Sequence, residues 1–173
     1  TQAGLGTTTL LGTNTYGGGT TVSAGTLAAG NDAAFGSSTA ALTVNGGTLA
    51  IDTYNVSAGA ITIGTSGGNI TGSTGVLTGA SYTFNNTNDA TVSSVLAGAS
   101  ALTQAGVGTT TLSGLNTYSG GTNIGAGTLK AGSATALGSG VVGVASGASL
   151  DLNGQAMTST GVLTLNGTGI GSG

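Results

Sequence analysis

One stretch of this chain occurs twice. Thr1 to Asn31, TQAGLGTTTLLGTNTYGGGTTVSAGTLAAGN, returns without a gap as Thr103 to Ser133, TQAGVGTTTLSGLNTYSGGTNIGAGTLKAGS, with most positions identical. The match continues more loosely. Gly47-Thr48-Leu49-Ala50-Ile51 is echoed by Ala148-Ser149-Leu150-Asp151-Leu152, and Ala60-Ile61-Thr62-Ile63 by Val162-Leu163-Thr164-Leu165. A period of about 100 residues is far longer than one supersecondary unit, so each copy contains several smaller ones.

Those units read as short strands between Gly, Asn and Ser: Thr7 to Leu11, Thr20 to Val22, Gly25 to Leu27, Ala41 to Val44, Thr48 to Ile51, Ala60 to Ile63 and Ser81 to Phe84. Apolar residues alternate with Thr, Ala or Ser, which sends alternate side chains to opposite faces. The alternation predicts inward pairs Leu42/Val44, Leu49/Ile51, Ile61/Ile63, Tyr82/Phe84, Val142/Val144, Leu150/Leu152 and Leu163/Leu165, with Thr, Ser and Asn outside. Connections this short, with no helix, do not suit βαβ crossovers, which need a dozen or more connecting residues. Irregular Gly-rich corners do not suit the two-residue hairpins of a sandwich, and no propeller blade signature is present. An all-β solenoid with short strands and Gly/Asn-rich corners remains, one coil stacked on the next at about 4.8 Å.

Composition narrows the interior of that solenoid. The 173 residues include 37 Gly, 4 Tyr, 2 Phe and no Trp, so a thick core cannot form. Gly with Ser and Thr also makes flexible linkers, but here the apolar residues fall in alternating runs and disorder's strong net charge is missing. Zero Pro suits continuous pairing, and Gly, Thr and Val disfavour helix. Without Cys, no disulfide or thiolate metal site staples the fold. Charge is confined to four Asp and Lys130. In stacked rungs like residues face one another, so like charges would repel while Thr, Asn and Val stack well.

The run Gly106 to Thr122, GVGTTTLSGLNTYSGGT, followed by Ala126-Gly127-Thr128-Leu129, closely resembles the autotransporter-associated β-strand repeat, also called the passenger-associated transport repeat. Its first copy runs from Gly4 to Leu27, and Ala136 to Gly140 with Gly147 to Leu152 are similar to the usual continuation. The resemblance implies a parallel right-handed β-helix; the repeat and strand pattern predict a single solenoid over residues 1–173 with copies starting near Thr1 and Thr103. It also implies export across a bacterial outer membrane to the cell surface or the extracellular space, by a translocator barrel that these residues do not contain. The unit brings no catalytic residues with it.

Catalysis and ligand binding find few candidates. His, Cys, Glu and Arg are missing, so the abundant Ser and Thr have only Asp or Lys130 as a base, and a Ser–Lys pair is improbable on chance grounds. Asn85-Asn86-Thr87-Asn88-Asp89 offers oxygen ligands of the kind calcium takes, but an Asx-rich loop bonding its own backbone is the simpler reading. The corner aromatics Tyr16 and Tyr118 can stack on sugars or pack over a Gly-rich turn; the second is the ordinary case. A net charge of −3 excludes a nucleic-acid footprint. Thr7 to Thr9 and Thr109 to Thr111 suggest an ice-binding plane, yet most coils lack paired Thr. No cofactor is expected. Surface glycans or host ligands are conceivable partners for an adhesin, but hot-spot residues are scarce, so a stalk or filament is the favoured role.

A solenoid leaves open ladders at its ends, which recruit further strands unless capped. No cap is recognisable. Thr1 begins without Met at the position equivalent to Thr103, and Ile170-Gly171-Ser172-Gly173 resembles Gly98-Ala99-Ser100-Ala101, which precedes Thr103. Head-to-tail continuation is therefore expected, within a longer chain or between subunits. The missing catalytic groups give the first prediction: the purified chain has no hydrolytic activity on polysaccharides, and reproducible cleavage abolished by changing one Asp would overturn it.

Overall fold

The computed structural model of the chain describes residues 1–158 and 161–166, so the Ile170–Gly173 segment lies outside the described residues. Seventeen strands and no helix occur among those described. One sheet stacks β1 (Thr7–Leu10), β3 (Thr26–Ala29), β5 (Thr48–Asp52), β7 (Gly68–Gly72), β9 (Ala90–Val92), β12 (Thr109–Leu112), β14 (Thr128–Ala131) and β16 (Ser149–Asp151). The other stacks β2 (Thr20–Val22), β4 (Leu42–Val44), β6 (Val56–Ile63), β8 (Val76–Phe84), β11 (Leu102–Gln104), β13 (Thr122–Ile124), β15 (Val142–Val144) and β17 (Leu163–Leu165). Every pairing is parallel, and consecutive strands alternate between the sheets over most of the chain. Each coil therefore gives one rung to each sheet and takes roughly 20 residues, as in the steps Tyr82, Leu102, Thr122 and Val142. This is a β-solenoid of about eight turns.

The long sequence repeat is a multiple of that coil. Gln2 bridges Val22, and the column continues through Val44, Ile63 and Phe84 to Gln104. Five rung-to-rung steps thus separate the two equivalent glutamines. In the middle coils the strands lengthen and turn a corner: the first halves of β6 and β8 pair, and β10 (Val95–Ala97) pairs with β8, so Val56, Leu77 and Leu96 form a third wall.

The interior is a set of vertical columns. Leu42, Ile61, Tyr82, Leu102 and Val142 stack in one and Val22, Val44, Ile63, Phe84, Ile124 and Val144 in the next, all buried. Leu27, Leu49, Ile70, Val92 and Leu112 face them from the other sheet, with Ile51 buried beside them. Between the two inward columns of β2, β4, β6, β8 and β11, Thr21, Thr43, Thr62, Thr83 and Thr103 form an outward ladder, followed by Asn123 and Gly143. The ladder is single file, because positions two residues away are Ala, Ser, Gly or Asn in most coils.

Two expectations need correction. Leu152, Leu163 and Leu165 are 41, 50 and 62% exposed and Leu150 is only partly covered. They point along the inward columns, but β16 and β17 are the last described rungs of their sheets, and a rung is buried only when another lies over it. Ile51 shows the contrast: it occupies the position of Leu152, with Asp52 and Asn153 both turning at positive φ just after, yet it lies beneath β7 and is fully buried. Second, polar side chains are not confined to the outside. Thr20, Asn86, Ser94, Gln104, Thr110, Asn116, Thr122 and Ser133 are buried.

Column position gives the second prediction. Ile61→Ala leaves a cavity between two covered rungs and costs about 2–5 kcal/mol, whereas Leu163→Ala in the same column costs less than about 1 kcal/mol. Denaturant midpoints of the two variants measure the difference; equal losses would contradict the rung order.

Candidate functional site: the polar corners of the repeat

The chain between β12 and β13 has no strand partners of its own, so its polar groups must be satisfied in other ways. Asn116, buried, clips three coils together: its Oδ1 accepts from the Leu96 N–H at 2.9 Å and its Nδ2 donates to the Ala136 carbonyl at 2.7 Å. The next residues donate through Thr117 N and Tyr118 N to the Leu96 carbonyl. Tyr118 then folds inward. Its hydroxyl lies 2.6 Å from Thr122 Oγ1, which donates to the Leu137 carbonyl at 3.0 Å. With the threonine proton committed there, Tyr118 is the donor of the shorter bond. Gly138, at φ 64°, closes the corner because a Cβ there would collide with the Tyr118 carbonyl and ring.

The first copy repeats this device. Asn14 Nδ2 donates to the Ala34 carbonyl at 2.7 Å, Tyr16 Oη lies 2.7 Å from Thr20 Oγ1, and Gly36, at φ 91°, packs on Tyr16. Coverage differs. Tyr118 is completely buried, its ring 6.1 Å from that of Tyr82 in the coil above, while Tyr16 is 40% exposed with no described coil above it. Tyr118 is thus closed to a sugar ring, and Tyr16 borders a hollow of about 350 Å³ beside the first described rung.

A second corner is built on glutamine. Gln104 Nε2 donates to the Gly106 carbonyl at 2.9 Å and to Asn86 Oδ1 at 3.3 Å, and Thr110 Oγ1 donates to the same Asn86 oxygen at 3.0 Å. Gln2 Nε2 likewise donates to the Gly4 carbonyl at 2.9 Å, but here Thr8 donates to Gln2 Oε1 at 2.9 Å. The threonine turns to the coil above in one copy and to its own coil in the other, which leaves the buried Gln104 Oε1 without a hydrogen-bond partner.

The remaining candidates are placed as follows. Asn86 Nδ2 donates to the Asn88 and Thr109 carbonyls and Thr87 Oγ1 to the Thr65 carbonyl, so the Asn85–Asp89 loop spends these groups on backbone. No group of three or more His, Cys, Asp or Glu stands close enough together to hold a metal ion among the described residues. Lys130 and Asp151, adjacent rungs of β14 and β16, form an exposed ion pair at 3.8 Å. A surface hollow of about 510 Å³ is lined by Asn14, Asp32, Ser37, Ser38 and Asn55 among others, with Asp32 Oδ1 accepting from the Asn55 N–H at 2.8 Å.

Gln2/Gln104, Asn14/Asn116, Thr20/Thr122 and Gly36/Gly138 were not singled out with the tyrosines, although their identity between the two copies is a signal on a par with that of Tyr16/Tyr118. Burial raises the pKa of Tyr118 above the ordinary tyrosine range, outweighing its bond to Thr122, and burial also raises that of Tyr82. The unfolded chain therefore loses these protons first. Their contribution to stability is complete below about pH 10 and is lost as pH rises beyond it. Melting temperature should fall above about pH 10, less steeply in Tyr118→Phe, and that variant should cost about 1 kcal/mol at neutral pH for the lost hydrogen bond. An identical alkaline profile in the variant would count against the buried corner.

No curated protein and no solved structure matches the chain. The Passenger-associated-transport-repeat signature matches residues 1–29 and 102–131, which include Gln2 and Tyr16 in one copy and Gln104 and Tyr118 in the other. Two segments of this chain are therefore similar to the passenger-associated transport repeat, the repeat of autotransporter passenger regions.

Proposed function

We propose that these coils are an extracellular structural segment, a stalk or filament of a secreted or surface-displayed bacterial passenger that continues head to tail. The observation carrying this reading is the unbroken column from Gln2 to Leu165, in which every rung pairs in parallel with the next. Such a stack grows by adding rungs and gains stability from each neighbour contact. The repeat's shared residues support it too, since Gln, Asn, Tyr and Thr at the corners bond across or along coils and present little chemistry to solvent. A charge-poor exterior with a Thr ladder suits a spacer better than a recognition surface, which needs concentrated aromatic or charged anchors. Neither enzymatic activity nor a cofactor belongs to this role.

The alternative, an adhesin, has one local feature in its favour: the hydroxyl- and carboxylate-lined hollow around Asp32. The two are separated by microscopy and binding together. Native surface material should show thin threads whose fibre diffraction has an axial repeat near 4.8 Å, and the purified chain should show no saturable binding to glycans or matrix proteins. Saturable binding lost in Asp32→Ala would replace the structural reading with the adhesive one.

A further inference from the structure

Asn-Gly pairs occur at Asn45-Gly46, Asn153-Gly154 and Asn166-Gly167, and Gly167 lies outside the described residues. An Asn followed by Gly is open to a backbone reaction, because a peptide nitrogen with no Cβ beside it can reach the Asn side-chain carbonyl carbon. The fold treats the two described pairs in opposite ways. At Asn45 the side-chain oxygen accepts from the Ser66 N–H at 2.9 Å, and the amide packs so closely on Gly64 that a Cβ there would collide with it. The nitrogen that would attack is also committed, since the Gly46 N–H donates to the Gly67 carbonyl at 2.8 Å.

Asn153 stands in the exposed turn after β16. Its own N–H donates to Asp151 Oδ1 at 2.8 Å, and the Gln155 N–H closes the turn on the Leu152 carbonyl at 2.8 Å. The Gly154 N–H and the Asn153 side-chain amide have no hydrogen-bond partner among the described residues, and nothing lies within 4 Å of where a Gly154 Cβ would stand. The first copy shows the same turn with a further coil laid against it. There the Tyr54 N–H donates to the Ile51 carbonyl, Asp52 has φ 47° against 49° for Asn153, and the next coil takes the Asp52 carbonyl through the Ser73 and Gly75 N–H groups. Asp52 and Thr53 remain exposed, so an adjoining coil does not close this turn to water.

We propose that Asn153 is a site of spontaneous deamidation in the folded protein, while Asn45 is protected. The Gly154 peptide nitrogen attacks Asn153 Cγ; the new C–N bond closes a five-membered imide as the Cγ–Nδ2 bond breaks, and ammonia leaves with the peptide proton. Water then opens the ring. Addition at Cγ restores the main chain and leaves aspartate, whereas addition at the main-chain carbonyl leaves isoaspartate, with the backbone running through Cγ. The net change is one water consumed and one ammonia released, with no oxidation. The aspartate product has a precedent in Asp52, which already occupies the equivalent turn. Isoaspartate adds a main-chain carbon inside the turn that the Gln155 bond closes. Either product adds one negative charge to a net −3, two residues from the Lys130–Asp151 pair.

The test is prolonged incubation of the purified chain at neutral and mildly alkaline pH, followed by mass-spectrometric peptide mapping and isoaspartate methyltransferase labelling. A single tryptic cut after Lys130, the only Lys or Arg, separates Asn153 from Asn45, and fragmentation separates Asn153 from Asn166. Conversion at Asn153 should give both products, rise with pH and run about tenfold or more ahead of Asn45, whose reaction must wait for local opening. In denaturant the two rates should converge. Equal conversion at the two pairs in the folded chain, no conversion at Asn153, or an Asn45 that stays slow when unfolded overturns the proposal. Asn153→Asp should melt with the parent and carry no isoaspartate label at that turn; a lowered melting temperature would count against the equivalence with Asp52.

Discussion

The rung-to-rung ladder is the interaction on which everything else in this molecule depends. Interior side chains are few and small, and the strands are only three to nine residues long, so no single coil can bury enough apolar surface to hold its own shape. A coil becomes stable when the rungs above and below accept its N–H and C=O groups and cover its inward side chains. Tyr82, Phe84, Ile61 and Ile63 are fully buried because they lie mid-stack, not because they sit in a thick core.

The corners are where that ladder fails, and there the side-chain amides take over. Where the backbone turns through Gly106 and Gly108, Gln104 bonds their carbonyls; where it turns before β13, Asn116 reaches one coil up and one coil down. A buried amide is costly when unpaired and stabilising when its partners are fixed carbonyls and N–H groups. This explains how a narrow apolar interior accommodates Gln104, Asn116, Asn86 and Thr122, and why the repeat keeps the same residues at both corners.

The same stacking accounts for the scarcity of charge. Residues in one column face one another at every rung, so a charge placed there meets its own column neighbours. The single lysine stands directly opposite an aspartate, and the outward column of the other sheet carries threonine through five successive rungs. Such a surface offers few charged or aromatic anchors along its length.

By itself the sequence determined the all-β solenoid, the two repeat copies and the inward direction of Leu42, Val44, Leu49, Ile51, Ile61 and Ile63, because alternation and Gly/Asn corners are local properties written residue by residue. It also marked Tyr16 and Tyr118 as equivalent. Burial was decided only in three dimensions. Tyr16 and Tyr118 share a sequence and a hydrogen bond yet differ in exposure, and Leu152 and Ile51 share a turn yet differ in cover, since what lies over a residue is a rung some 20 positions away. The single-file threonine ladder was hidden for the same reason, its members being spaced one coil apart. The roles of Gln104 and Asn116 likewise came from the stack: an amide side chain bonds whichever carbonyls the neighbouring coils place beside it, and sequence spacing alone does not name them.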